Sequence, residues 1–261
     1  LIQAWDEIQD QRPQDVRDAL AREHQAQSRP DLGRVHPSWW ARALQDEPVS
    51  VRATVIAHLP GELQGALPVE SRLGLSEARA DRPPRPFAVQ AVMTLWRERL
   101  IGDVPERPDD PPVIVALSRL QSGEIAELIR TVGQAKRAMT SRETLDLFDR
   151  LRDRLGDLDP RASLIAQRDV QTPGQSGPRS DFRIGLLSFA RLLRISDPYR
   201  TRWALQQIPY PTARSIRRLM EREPPRTPML TRWETQFLRA AWRELNEAGR
   251  IPEPWTWENT T

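Results

Sequence analysis

Three histidines and no cysteine set the limits of the chemistry this 261-residue chain can carry. Without cysteine there is no thiol nucleophile, no disulfide and no thiolate-held metal, a composition that suits a reducing compartment. The histidines are the groups that would act as metal ligands or general bases near neutral pH. His24 stands between Glu23 and Gln25 in a polar stretch and reads as solvated, and His58 reads as a structural or surface residue at a helix end. No H-E-x-x-H pair, phosphate-binding Gly-rich loop or Cys-His set accompanies them. His36 differs, because Pro37, Trp39 and Trp40 follow it directly. A proline that fixes a helix start, with a histidine and large rings beside it, is chemistry for recognition, since tryptophan is enriched at interface hot spots. The expected protein-binding residues are therefore His36, Pro37, Trp39 and Trp40, and the bland alternative is that His36-Pro37 simply begins a helix. No enzyme activity, cofactor or metal is expected.

Charge narrows the partners. The chain has 39 basic and 36 acidic residues, and since Lys136 is the one lysine, 38 of the basic residues are arginine. The formal net charge is only +3. Charges of both signs are interspersed, which reads as a solvated helical surface and not as the clustered footprint that nucleic acid requires. Arginine enrichment also suits protein interfaces, where its planar fork pairs with carboxylates. No apolar run is long enough to span a membrane.

The elements that carry these residues are helical, and one set occurs twice. Trp40 to Leu44 lies over Phe189 to Leu193, and without a gap Val55, Ile56, Leu59 and Pro60 fall on Ala204, Leu205, Ile208 and Pro209, at an offset of 149 taken between Ala41 and Ala190. After a three-residue adjustment Phe87 falls on Trp233 and Trp96-Arg97-Glu98 on Trp242-Arg243-Glu244, 146 apart between Trp96 and Trp242. A duplicated helical module follows. The expected organisation is an N-terminal helical arm or domain remnant at 1–34, a first module at 35–102, a Pro-rich linker and middle helical block at 103–170, a flexible linker at 171–180, and a second module with a tail at 181–261. Within these, helices are expected over Thr140 to Leu155, opened by a Thr140/Glu143 capping box, and from Thr231, opened by a Thr231/Glu234 capping box. Alternating strand patterns are absent, so the fold class is all-α.

These modules resemble the FliG family of flagellar motor switch proteins. His36-Pro37, Ala41, Leu44, Val55, Leu59-Pro60 and Glu62-Leu63 fall on the pattern that opens that family's middle domain. Phe189 through Ile251, with Ala213, Leu219, Glu221, Pro225, Arg243, Glu247 and Gly249 coinciding, is similar to its carboxy-terminal module. The resemblance implies an armadillo-like, right-handed helical repeat. It further implies a non-enzymatic structural or adaptor subunit of a cytoplasmic flagellar-rotor (switch, C-ring) or type III secretion platform. The partners it implies are other rotor or secretion-platform proteins and copies of the chain in a ring. No nucleic acid is expected, and the chain would be cytoplasmic and peripheral at the inner face of the cell membrane, associated with it only through a partner. Val35 and Ser38 replace the Glu and Gln of the family's opening motif, and the charged helix with a D-D-R-x-I-Q pattern is not found ahead of Phe189, so torque generation is not implied. The alternative function is an arginine-rich helical-repeat protein that binds nucleic acid.

Overall fold

In the computed structural model the described residues are 32–68, 71, 86–100, 111–141, 145–156, 160–171, 180–194, 196–222 and 228–252. Residues 1–31 of the expected N-terminal arm, most of the Pro-rich linker, residues 172–179 of the second linker and residues 253–261 of the tail lie outside them.

Prolines mark most helix starts, because a fixed φ suits the first helical position and the missing N–H is one that position does not need. Helix α1 (Pro37–Leu44) opens on one, while α2 (Val49–Ala57) and α3 (Gly61–Ala66) each follow one directly. Helices α4 (Pro86–Leu100) and α5 (Pro112–Arg119) again open on proline. In α6 (Ser122–Ala138) the Glu124 carboxylate accepts the Gln121 N–H at 2.6 Å, and Lys136 and Arg137 sit in the last turn, so both ends suit the helix dipole. Helix α7 (Asp146–Arg154) repeats that charge order, with Asp146 and Asp149 first and Arg152 and Arg154 last. Then come α8 (Pro160–Gln171), α9 (Ser180–Leu193) and α10 (Pro198–Gln206), the last capped by Asp197, whose carboxylate accepts the amides of Tyr199 and Arg200. Helix α11 (Tyr210–Arg222) follows Pro209, and α12 (Pro228–Glu247) stops at Gly249. There φ is +67°, which only glycine adopts without strain, and the Arg250 N–H turns back to the Leu245 carbonyl at 2.9 Å. No strand occurs among the described residues, and the all-α class holds.

Two helix starts differ from expectation. The Thr140 hydroxyl donates back to the Arg137 carbonyl at 3.0 Å, so it finishes α6 and does not open the next helix, which begins at Asp146. Glu143 lies outside the described residues. Helix α12 begins at Pro228, three residues before Thr231, and Glu234 does not cap it because two buried cations take its carboxylate. Helix α8 falls in the expected middle helical block, 103–170, within which no separate boundaries are expected for it.

Helix α6 is the centre of the packing, with α7, α8, α9 and α12 all lying against it. Ile125, Leu128, Ile129, Val132 and Ala135 are buried on it and form one apolar stripe, roughly 120° wide at 100° per residue. Its crossing with α9 brings backbone onto backbone. A Cβ on Gly133 would fall onto the Asp181 carbonyl oxygen, and one on Gly185 would fall onto the Ile129 carbonyl oxygen. Each glycine therefore sits four residues from the carbonyl that the other approaches. In α1 to α4, Trp40, Leu44, Val55, Leu63 and Trp96 are buried; the Trp40 and Trp96 ring centroids are 6.2 Å apart.

The crossing generates a stability prediction. Gly133→Ala and Gly185→Ala should each force the helices apart and destabilise the fold by at least the ~1–3 kcal/mol typical of overpacking. Gly123→Ala, at a site with nothing within 4 Å, should be neutral or slightly stabilising. Urea unfolding of the three variants measures the contrast, and equal stability of all three would contradict the close crossing.

Candidate functional site

The His36 segment is a seam inside the molecule. The His36 N–H donates to the Gln206 carbonyl at 2.8 Å, the Trp39 indole N–H donates to the Ile208 carbonyl at 3.0 Å, and the Tyr210 N–H donates to the Ser38 hydroxyl oxygen at 2.8 Å. These partners are the last carbonyl of α10, a carbonyl of the turn that follows it and the first amide of α11, groups without partners inside a helix. Residues 36–39 thus cap two helix ends far along the chain. Trp39 meets Tyr210 edge to face, with centroids 5.0 Å apart and planes at 87°. A second contact runs the other way: the side chains of Arg202 and Gln206 donate to the carbonyls of Arg99 and Leu100 at the end of α4.

His36 holds the seam by the acceptor at Nδ1. The Ser38 N–H reaches that atom at 3.2 Å and the Ser38 hydroxyl stands 2.9 Å from it, so the hydroxyl donates to the ring while accepting from Tyr210. Nδ1 must be unprotonated for this, which places the ring proton on Nε2. Burial lowers the His36 pKa and favours that neutral form.

Of the four expected binding residues, the structure brings His36, Pro37 and Trp39 to this seam. Trp40 is corrected: it has no exposed surface, because its position on α1 points into the core against Trp96, and it cannot anchor a partner. Trp39 remains half-buried and borders a groove of about 640 Å³ between α1, the end of α4, α9, α10 and α11. Ser38 is the seam residue that sequence reasoning passed over; its pairing with Tyr210 spans 172 positions, and no local pattern reports it. His58 closes α2, with Nδ1 2.8 Å from the Thr54 carbonyl.

A second cluster of ionisable groups lies in the core. Lys136 of α6, Asp169 of α8, Arg191 of α9 and Glu234 of α12 converge, with side chains at most 2% exposed. The Lys136 ammonium is 2.8 Å from the Asp169 carboxylate and 2.8 Å from that of Glu234. Arg191 grips Asp169 with two nitrogens, at 2.7 and 2.8 Å, and reaches Glu234 at 2.6 Å. The Phe237 ring lies 5.4 Å from the ammonium. Two cations and two anions balance, which is what makes such burial tolerable. Burial works to raise the pKa of Asp169 and of Glu234, but Lys136 and Arg191 outweigh it and hold both carboxyls below their ordinary range. A quartet sealed this completely positions helices and presents nothing to a substrate. A lone lysine in an apolar helix was its one trace in the sequence.

Both clusters make predictions. Ser38→Ala should cost about 1 kcal/mol, the usual worth of a capping hydroxyl, and Trp39→Phe about 1–2 kcal/mol by leaving the Ile208 carbonyl unpaired. The seam should also weaken as pH falls below about 6, because the stabilisation from a neutral His36 is complete above the unfolded pKa near 6.5 and is lost on descent through the lowered folded value. Chemical denaturation at pH 7.5 and 5.5 should show that loss in the wild type and not in His36→Asn. In the core, Asp169→Asn should destabilise by about 3–5 kcal/mol by leaving the cations short of an anion. The depressed carboxyls contribute fully above about pH 4–5 and lose that contribution as pH falls through their folded pKa values. An acid-unfolding curve for Asp169→Asn that keeps the wild-type steepness would contradict this account.

No family model matches the chain, no curated protein matches it, and no solved structure matches it.

Proposed function

We propose that the chain is a non-enzymatic structural or adaptor subunit of a cytoplasmic ring, of the flagellar-rotor or type III secretion platform kind, built from two related armadillo-like modules and acting through protein contacts. The observation that carries this reading is the agreement in helix boundaries between the two modules. Helices α2 (49–57) and α10 (198–206) have equal length at an offset of 149, the difference between 198 and 49. At that same offset α1 and α9 both end, on the buried Leu44 and Leu193, and α3 and α11 both begin, at Gly61 and Tyr210. Trp96 of α4 and Trp242 of α12, 146 apart, are 5% and 1% exposed. One helix pair matched at both limits, two matched at one limit, and a fourth matched at its buried tryptophan support a duplicated unit, and stacked helical units act by presenting extended surfaces.

The modules differ where their surroundings differ. Arg42 is exposed, while its counterpart Arg191 is sealed in the charged quartet to which the middle block contributes Lys136 and Asp169. Phe87 is 69% exposed where Trp233 is 7% exposed. With Ala91 and Leu95, also exposed and each four residues on, Phe87 forms an apolar stripe on α4, the kind of surface that protein contacts use. No helix among the described residues is long and apolar enough to cross a membrane, so a place at the inner membrane face would depend on a partner.

The test is to recover the tagged chain from cells that make it, after cross-linking, and to identify the proteins bound. Rotor or export-platform subunits and further copies of the chain are the expected result. Duplex DNA binding, followed by anisotropy, should disappear near physiological salt because few phosphates are neutralised at once. Retention of DNA at that salt, with no such subunits recovered, would favour the nucleic-acid alternative.

A further inference from the structure

The groove beside Trp39 is the part of the surface where charge is segregated. Five arginines line it, Arg42, Arg99, Arg194, Arg202 and Arg217, and no aspartate or glutamate does. In a chain with 39 basic and 36 acidic residues, that local imbalance is a property of the site and not of the composition. Arg99 is paired with Glu47 at 2.7 Å and Arg42 with the neutral Gln45. Among the described residues Arg194, Arg202 and Arg217 have no carboxylate partner. The lining also holds the apolar Ala43, Leu100, Leu193, Leu205 and Met220, with the neutral polar Ser196, Thr201 and Gln206. Beyond the Trp39–Tyr210 pair the surface continues over Arg214, Arg217 and Arg218, with Glu221 the one acid.

We infer that this groove takes an acidic amphipathic segment of a partner protein, with apolar side chains on its floor and carboxylates on its arginine rim. The inference rests on the protein-contact reading above and specifies the chemistry of one partner. Cations above an apolar floor sit in a lower effective dielectric than on open surface, so they attract carboxylates more strongly there. Leucine and methionine lining with a charged margin is how grooves receive the apolar face of a helix. Single-stranded nucleic acid needs open ring faces for successive bases. Here the two aromatic rings are half-buried against each other, and the Trp39 N–H is already committed to Ile208.

The probe is a displayed library of random peptides of about 16 residues, roughly four helical turns, panned on the full chain at physiological salt. Selected peptides are then labelled and titrated by anisotropy. They should be rich in Asp and Glu, with apolar residues recurring at three- and four-residue steps. The double variant Arg42→Glu, Arg217→Glu should weaken their binding at least tenfold with an unchanged thermal melt, since both side chains are exposed. Met220→Ser should weaken it severalfold through the floor alone. A labelled oligothymidylate of about 20 nucleotides, longer than a typical single binding site, should bind less tightly than the peptides. Peptides without acidic enrichment, or peptides bound equally by the double variant, would overturn the inference. So would oligothymidylate binding more tightly and being lost in that variant, which would make the groove a nucleic-acid site. Groove-dependent peptide binding in a protein that assembles with no rotor or export subunit would overturn the machine assignment and leave the groove standing.

Discussion

Helices α6 and α9 cross with backbone against backbone, Gly133 beneath the Asp181 carbonyl and Gly185 beneath that of Ile129. This constraint governs the rest of the core, because two helices in contact at their backbones have little freedom to slide or rotate. Three residues beyond Gly133 on the same face, Lys136 enters the quartet with Asp169, Arg191 and Glu234. Its members come from four helices, and buried ion pairs offset their desolvation cost only when the geometry is good and the remaining hydrogen bonds are made. Apolar side chains of like volume would serve stability as well. The quartet instead specifies one arrangement, since any other packing of α6, α8, α9 and α12 would strand a charge in a medium of low dielectric.

Polar groups also fix the contact between the first module and the second. The ends of α4, α10 and α11 leave carbonyls and amides without intrahelical partners. Residues 36–39 answer those at the α10–α11 turn, and the side chains of Arg202 and Gln206 answer those at the end of α4. The exchange is reciprocal and directional, so it sets orientation where apolar area alone would permit a range of poses. The arginines that rim the groove lie near this turn, on α1, α10 and α11 and at the ends of α4 and α9. Three of them, Arg194, Arg202 and Arg217, meet no acid among the described residues, and a cationic surface lies beside the capped helix ends.

Ionisable side chains are thus sorted by depth. Those in the core are matched in number and closed to solvent, those on α7 and α12 pair across the surface, as Arg150 with Glu244 at 2.8 Å, and at the groove Arg194, Arg202 and Arg217 have no acid partner among the described residues. Interspersed charge in the sequence describes the first two populations and misses the third. The proposed docking of a partner would draw on this third population and on the apolar stripe on α4.

Local signals were legible in the sequence because they act within a few residues. Prolines, the Asp197 cap and the Gly249 stop mark helix limits through φ and end hydrogen bonds, and apolar steps of three and four marked Leu44, Leu193, Trp96 and Trp242 as buried. Whether a capping pattern is used is already beyond that range: Thr231 and Glu234 fit one, yet Lys136, 98 positions away, takes the carboxylate. Adjacent Trp39 and Trp40 were equivalent in the pattern, and only the neighbours met on each side of α1 made one a seam residue and the other core. Tertiary structure alone decided the quartet, the Ser38–Tyr210 cap, the glycine crossing and the groove. Each depends on which helix faces meet, and that is settled by packing between residues far apart in the chain.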